Sequence, residues 1–226
     1  MSSLSQLRVQ RQKMTEREQD IVYHKFAALY LPSLVDSFLQ APPPPPGNPQ
    51  DLIEEFRLNN TYMEMMGAIS HTPYFSKFLR SRQPAAEGGK KLMKEVAQRL
   101  LDLAPTWDRK MLNTPVDREP GYYESAAGTA IQMFSTLLAA FVKEPRDSPV
   151  RVSPEVKSAL IPWLRKWERR HHSEFLGRVS TRARNQLEQD QNLTEEAMGL
   201  RRLLKNWAVC GKPGCDSSAD LKACSR

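Results

Sequence analysis

Seventeen prolines, five of them consecutive from Pro42 to Pro46, limit what this chain can fold into. Proline has no backbone N–H to donate, and its ring clashes with the carbonyl four residues earlier, so neither a helix interior nor a central strand tolerates a run of them. Ala41 to Pro46, followed by Gly47-Asn48-Pro49, therefore reads as an extended polyproline II linker. The same argument places breaks or bends at Pro32, Pro105, Pro162 and Pro145 to Pro149. Between these points apolar residues recur at helical spacing, and no stretch alternates with β-branched enrichment. The expected fold is all-α, with seven to nine helices in an irregular bundle or a short helix-pair stack. Its divisions are an N-terminal helical segment 1–40, a proline-rich linker 41–50, a helical body 51–207 and a tail 208–226.

Local signals place the helices. Thr15-Glu-Arg-Glu18 is a capping box and starts the first one. Ile21, Val22, Phe26, Leu29 and Tyr30 form an apolar stripe assigned to the core, which Pro32 kinks or restarts before Leu34, Val35, Phe38 and Leu39. Asp51 caps a helix carrying Leu52, Ile53 and Phe56 toward Tyr62, Met63, Met66 and Ile69, with Met63, Met65 and Met66 filling core gaps. Thr72-Pro73 is a cap followed by a first-turn proline. Gly88-Gly89-Lys90-Lys91 reads as a loop before an amphipathic helix from Lys90 to Leu103, which Pro105 ends, with a short helix around Asp108 to Leu112. Tyr122 to Val142 is apolar on more than one face and is expected to be the central helix. Ser153-Pro154-Glu155 opens a helix with Val156, Leu160, Trp163, Leu164 and Trp167 inward. Phe175, Leu176, Val179, Ala183 and Leu187 form the next apolar set, and a last helix runs from near Thr194 to Trp207.

Net charge is +7, and its distribution is uneven: from Arg151 to Arg226 there are 15 Lys and Arg against 9 Asp and Glu. Arg165, Lys166, Arg169, Arg170, Arg178, Arg182 and Arg184 are the candidate nucleic-acid contacts, with a solvated helix face as the plainer reading. Signatures for enzymes are missing: there is no phosphate-binding glycine loop, no His-Glu-x-x-His and no Gly-x-Ser-x-Gly. His171-His172-Ser173-Glu174 offers a base, a hydroxyl and a carboxylate, but adjacent residues on a helix diverge and cannot form a triad. The chain is expected not to be an enzyme. Its first residues lack the apolar core of a secretory signal, and no run of about 18 apolar residues suits a membrane span. Three cysteines crowded together fit a reducing compartment, cytoplasm or nucleus.

Those cysteines are Cys210, Cys215 and Cys224. Two thiolates separated by a Gly-Lys-Pro-Gly turn can bind one metal ion, and the third follows nine positions on; structural zinc takes four ligands. The stretch Leu204-Lys-Asn-Trp207-Ala-Val-Cys210-Gly-Lys-Pro-Gly-Cys215, with Leu221-Lys-Ala-Cys224, resembles the opening of a MYND-type zinc finger as found in many fungal proteins. The resemblance implies that Cys210, Cys215 and Cys224 are zinc ligands and that the complete finger binds short proline-containing peptides of partner proteins. The pattern stops after its third cysteine, so the finger is expected to be truncated and the tail disordered. His24, His71, His171, His172, a carboxylate or a second chain would have to supply the fourth ligand. The leading expectation is a non-enzymatic helical interaction or scaffold protein with a protein partner and an incomplete MYND-type zinc finger, in which zinc is bound only where such a donor completes the site. Nucleic-acid or chromatin binding through the basic third is the first alternative, and an enzyme with an unrecognised site in the helical body is the second.

Overall fold

The capping box at Thr15 forms as its residues require. The Thr15 N–H donates to Glu18 Oε2 at 2.8 Å and the Glu18 N–H donates to Thr15 Oγ1 at 3.3 Å. The Thr15 N–H and the Thr15 hydroxyl, which donates to the same Oε2 at 2.8 Å, hold the Glu18 carboxyl below the usual carboxylate range. The computed structural model describes residues 15–40, 62–81, 86–113, 120–141, 148 and 150–188. The polyproline linker, the Asp51 cap, the last helix and the cysteine tail lie outside the described residues.

Among the described residues there are seven helices and no strand, so the fold is all-α. They are α1 (Glu16–Gln40), α2 (residues 62–69), α3 (Pro73–Arg80), α4 (Glu87–Leu112), α5 (Tyr122–Ala140), α6 (Pro154–Arg170) and α7 (Phe175–Glu188). Side-chain caps start α3 and α6: Thr72 Oγ1 accepts from the Phe75 N–H at 3.3 Å, and Ser153 Oγ from the Val156 N–H at 3.4 Å. The arrangement is an irregular bundle. Helix α5 packs most extensively on α7, α6 packs on α7, and α4 touches α1 and α3 as well as α5 and α6.

One expected break is absent, the helix end at Pro105. Pro32, Pro105 and Pro162 all lie inside continuous helices. Pro105 does not end α4, and the separate short helix around Asp108 is the last part of that same helix. Each proline faces outward or is half-buried, so the carbonyl it leaves unbonded is not sealed in the core. Residues on both sides are buried: Leu31 and Val35 around Pro32, Leu100 and Trp107 around Pro105, Leu160 and Leu164 around Pro162. An interior proline costs about 3 kcal/mol, while burying a large apolar side chain contributes about 1.5–3 kcal/mol. Two such anchors offset the break.

One contiguous core runs from Ala27 on α1 to Leu187 on α7. Met63 and Met66 fill it as expected, and Met65 is half-buried. The stripe assigned to the core on α1 is a correction. Ile21, Val22, Leu29 and Tyr30 are 47, 42, 56 and 52% exposed, whereas Ala27, Leu31, Val35 and Phe38 are fully buried. Helix α1 carries apolar residues on two opposite faces, and the one with small Ala27 at its centre is the face that meets the bundle. Phe175 is a second departure: it is 43% exposed, yet its ring covers the small surface at Gly128. Gly88 and Gly89 do not form a loop but the first turn of α4, where Val35 and Phe78 approach to 3.0 Å of the positions their Cβ atoms would take.

Two glycines test this packing in opposite directions. A Cβ on Gly177 would collide with the carbonyl of His171, which is backbone and cannot swing aside, whereas Gly67 has open space around it. Gly177→Ala is expected to lower unfolding free energy by about 1–3 kcal/mol. Gly67→Ala should raise it by about 0.5–1 kcal/mol through helix propensity. Urea denaturation of the two variants measures both.

Candidate functional site

Helical spacing puts Arg165 and Arg169 in one row of α6 and Lys166 and Arg170 in the next, so four cations share one face. With Pro162 they line an open groove of about 530 Å³. The cations are held by carboxylates from other parts of the chain. Asp108, buried on α4, accepts from Lys166 Nζ at 2.7 Å, Arg170 Nη1 at 3.0 Å and Trp167 Nε1 at 3.2 Å. Burial pushes the Asp108 carboxyl up, but the Lys166 hydrogen bond, the Arg170 charge and the Trp167 hydrogen bond together hold it below its usual value.

On the other flank, Arg165 Nη2 donates to Glu188 Oε1 at 2.6 Å. Arg184 donates to both oxygens of Glu168 at 2.7 and 3.1 Å and also to Glu188. The Arg184 hydrogen bond holds Glu168 below the carboxylate range. Burial pushes Glu188 up, but the Arg184 and Arg165 bonds prevail. Arg169 is exposed and makes no hydrogen bond or ion pair among the described residues.

The seven cations read from the sequence do not form one patch. Arg178 Nη1 donates to the Ser173 carbonyl and Arg182 Nη1 to Gln132 Oε1 on α5, each at 3.1 Å. Those two occupy one row of α7, while Arg184 lies about 200° round the helix from Arg182, facing α6. Four cations line the groove, Arg184 braces its edge, and two sit on the far side of α7.

No family model, curated protein or solved structure matches this chain.

The histidines separate into two places. His71 Nε2 lies 3.8 Å from Asp20 Oδ1, and its ring meets Tyr23 edge-on at 5.4 Å. Burial lowers the His24 pKa, the nearby His71 charge lowers it further, and Asp20 opposes both. His171 is buried in the turn between α6 and α7, with Nδ1 2.9 Å from Glu174 Oε2; His172, Ser173 and Glu174 are exposed. Only His171 and Glu174 of that tetrad come together, and they do so across a turn rather than on a helix. Among the described residues no three His, Cys, Asp or Glu side chains are grouped to hold a metal ion. Cys210, Cys215 and Cys224 lie outside the described residues.

Sequence reasoning missed Asp108 as the counter-charge of the groove. Its signal was present in the spacing: Ala104, Trp107 and Asp108 continue the stripe of Leu100 once Pro105 is allowed inside the helix. Asp108→Asn should lower stability at pH 7 by about 1–3 kcal/mol, because Lys166 and Arg170 lose the charge that holds them. A carboxyl depressed in the folded state contributes stability above its unfolded value, near 4, and loses it as pH falls through the folded value. Urea midpoints of wild type and variant should therefore differ at pH 7 and converge as the pH is taken below about 4.

Proposed function

We propose that this chain is a non-enzymatic helical scaffold that holds a helix of a partner protein on the outward face of α1. The observation that carries the reading is that second apolar face. Ile21, Val22, Leu29 and Tyr30 are exposed on a helix whose opposite side is fully committed to the core, and Phe26 packs against Tyr30 at 5.1 Å between ring centroids. Val22, Phe26 and Leu29 follow the i, i+4, i+7 spacing with which one amphipathic helix seats another. Scattered exposed apolar residues are ordinary on a protein surface, but four on one face of one helix mark a contact surface. No helix among the described residues is long and apolar enough to cross a membrane. The helical spacing of the face is what assigns it to a helix of a protein partner.

Zinc is the second part of the proposal. Cys210, Cys215 and Cys224 supply three thiolates, and a donor from another part of this chain or from a partner closes the site. Purified protein should then retain zinc in a ratio that rises toward one per chain in the presence of the partner; a ratio near zero under both conditions overturns it.

A photo-activated cross-linker placed at Leu29 in cells tests the α1 face. Cross-links to one defined protein, lost in Val22→Glu and retained in Lys94→Glu on the exposed side of α4, are expected. Equal cross-linking in both variants, or cross-links only to the chain's own residues, would remove the scaffold reading.

A further inference from the structure

We infer that the groove on α6 is a docking site for an acidic segment of a protein partner, separate from the apolar face of α1. Arg165, Lys166, Arg169 and Arg170 form a parallelogram in which the Cβ atoms of the same row stand about 6 Å apart. Three of the four are fixed from behind: Asp108 holds Lys166 and Arg170, and Glu188 holds Arg165. Fixing does not exhaust them. Arg170 uses Nη1 and Arg165 uses Nη2 for these bonds, and a guanidinium has five N–H donors. The side chains are oriented before any ligand arrives, which reduces the ordering cost of binding. Arg169, exposed and without a hydrogen bond among the described residues, completes the set.

The size and charge of the site choose the ligand class. The groove is one helix face about two turns long, and three of its cations already share carboxylates. It fits two or three carboxylates on a short segment. A nucleic-acid duplex that gains affinity through 6–10 phosphate contacts needs a longer basic track, as a rough scale. The remaining arginines do not extend the track, since Arg178 and Arg182 share another row of α7, Arg178 bonded to the Ser173 carbonyl in the turn before it and Arg182 to Gln132 on α5. Pro162 on the rim and Trp163, 5.3 Å from Lys166 Nζ, add apolar surface that suits the stems of peptide side chains.

Fluorescence anisotropy with a fluorescein-labelled oligoglutamate peptide and the full chain tests this, alongside single-stranded and duplex DNA of equal charge. The peptide is expected to bind at about 20 mM salt and weaken with added salt. Arg165→Glu with Arg169→Glu should weaken it about ten-fold or more, and Arg178→Glu with Arg182→Glu less than about two-fold. Far-UV circular dichroism should be unchanged in the first pair, since both side chains are exposed. If charge reversal disturbs the helix, Arg165→Gln with Arg169→Gln supplies the same reading. Absence of peptide binding at low salt overturns the proposal, as does equal loss in both pairs, which would mean diffuse charge. Preference for either DNA over the peptide, with loss in both pairs, would replace it with a nucleic-acid interface.

Discussion

The continuity of α4 through Pro105 is the constraint on which the rest of the structure depends. Twenty-six residues at about 1.5 Å rise make a rod about 39 Å long. Its first half meets α1 and α3. Gly88 and Gly89 let those helices come close, and Arg99 caps the end of α1, donating to the Phe38 carbonyl at 2.7 Å with its guanidinium 4.1 Å from the Phe38 ring centroid. Its second half, beyond the proline, buries Trp107 in the core and carries Asp108 to α6. A helix that stopped at Pro105 would leave Lys166 and Arg170 without the carboxylate that holds them. The proline is accommodated because it faces outward while the residues on either side of it are buried.

The electrostatics follow from that rod. Read along the chain, α6 and α7 carry a strong excess of positive charge, and a basic surface is the natural inference. In three dimensions, Asp108 stands 58 residues before Lys166 and 62 before Arg170, and Glu168 and Glu188 are interleaved with Arg184 and Arg165. Interior placement of Asp108 strengthens its pull on the cations even as burial penalises its own charge. The charge is thereby organised into a small oriented groove rather than spread over one broad field.

Close packing at α5 holds this half of the molecule together. Ala126, Ala127, Gly128, Ala130 and Ser135 keep its surface low, so that α7 lies against it with Phe175 lodged over Gly128 and Ser135 Oγ donating to Gln186 Oε1 at 2.7 Å in a buried pair. At the opposite end, α1 contributes only one of its two apolar faces to the core. Rigid packing inside and an apolar face outside are the combination the scaffold proposal uses.

The sequence by itself determined the helical class, the starts of α1, α3 and α6, and the burial of α5. Each depends on contacts within a few residues: a capping hydroxyl, a first-turn proline, an apolar spacing. Tertiary structure alone decided which face of α1 is covered, because Ile21, Val22, Leu29 and Tyr30 are as apolar as the residues chosen and only the shape of the neighbouring helices selects Ala27, Leu31, Val35 and Phe38. It also decided that Pro105 lies within a helix, since the local cost of a proline is offset only by distant packing partners. The groove on α6 belongs to the same category: its cations are visible in the sequence, but the one carboxylate that orients two of them, Asp108, comes from a helix about 60 residues earlier, brought into reach by the fold.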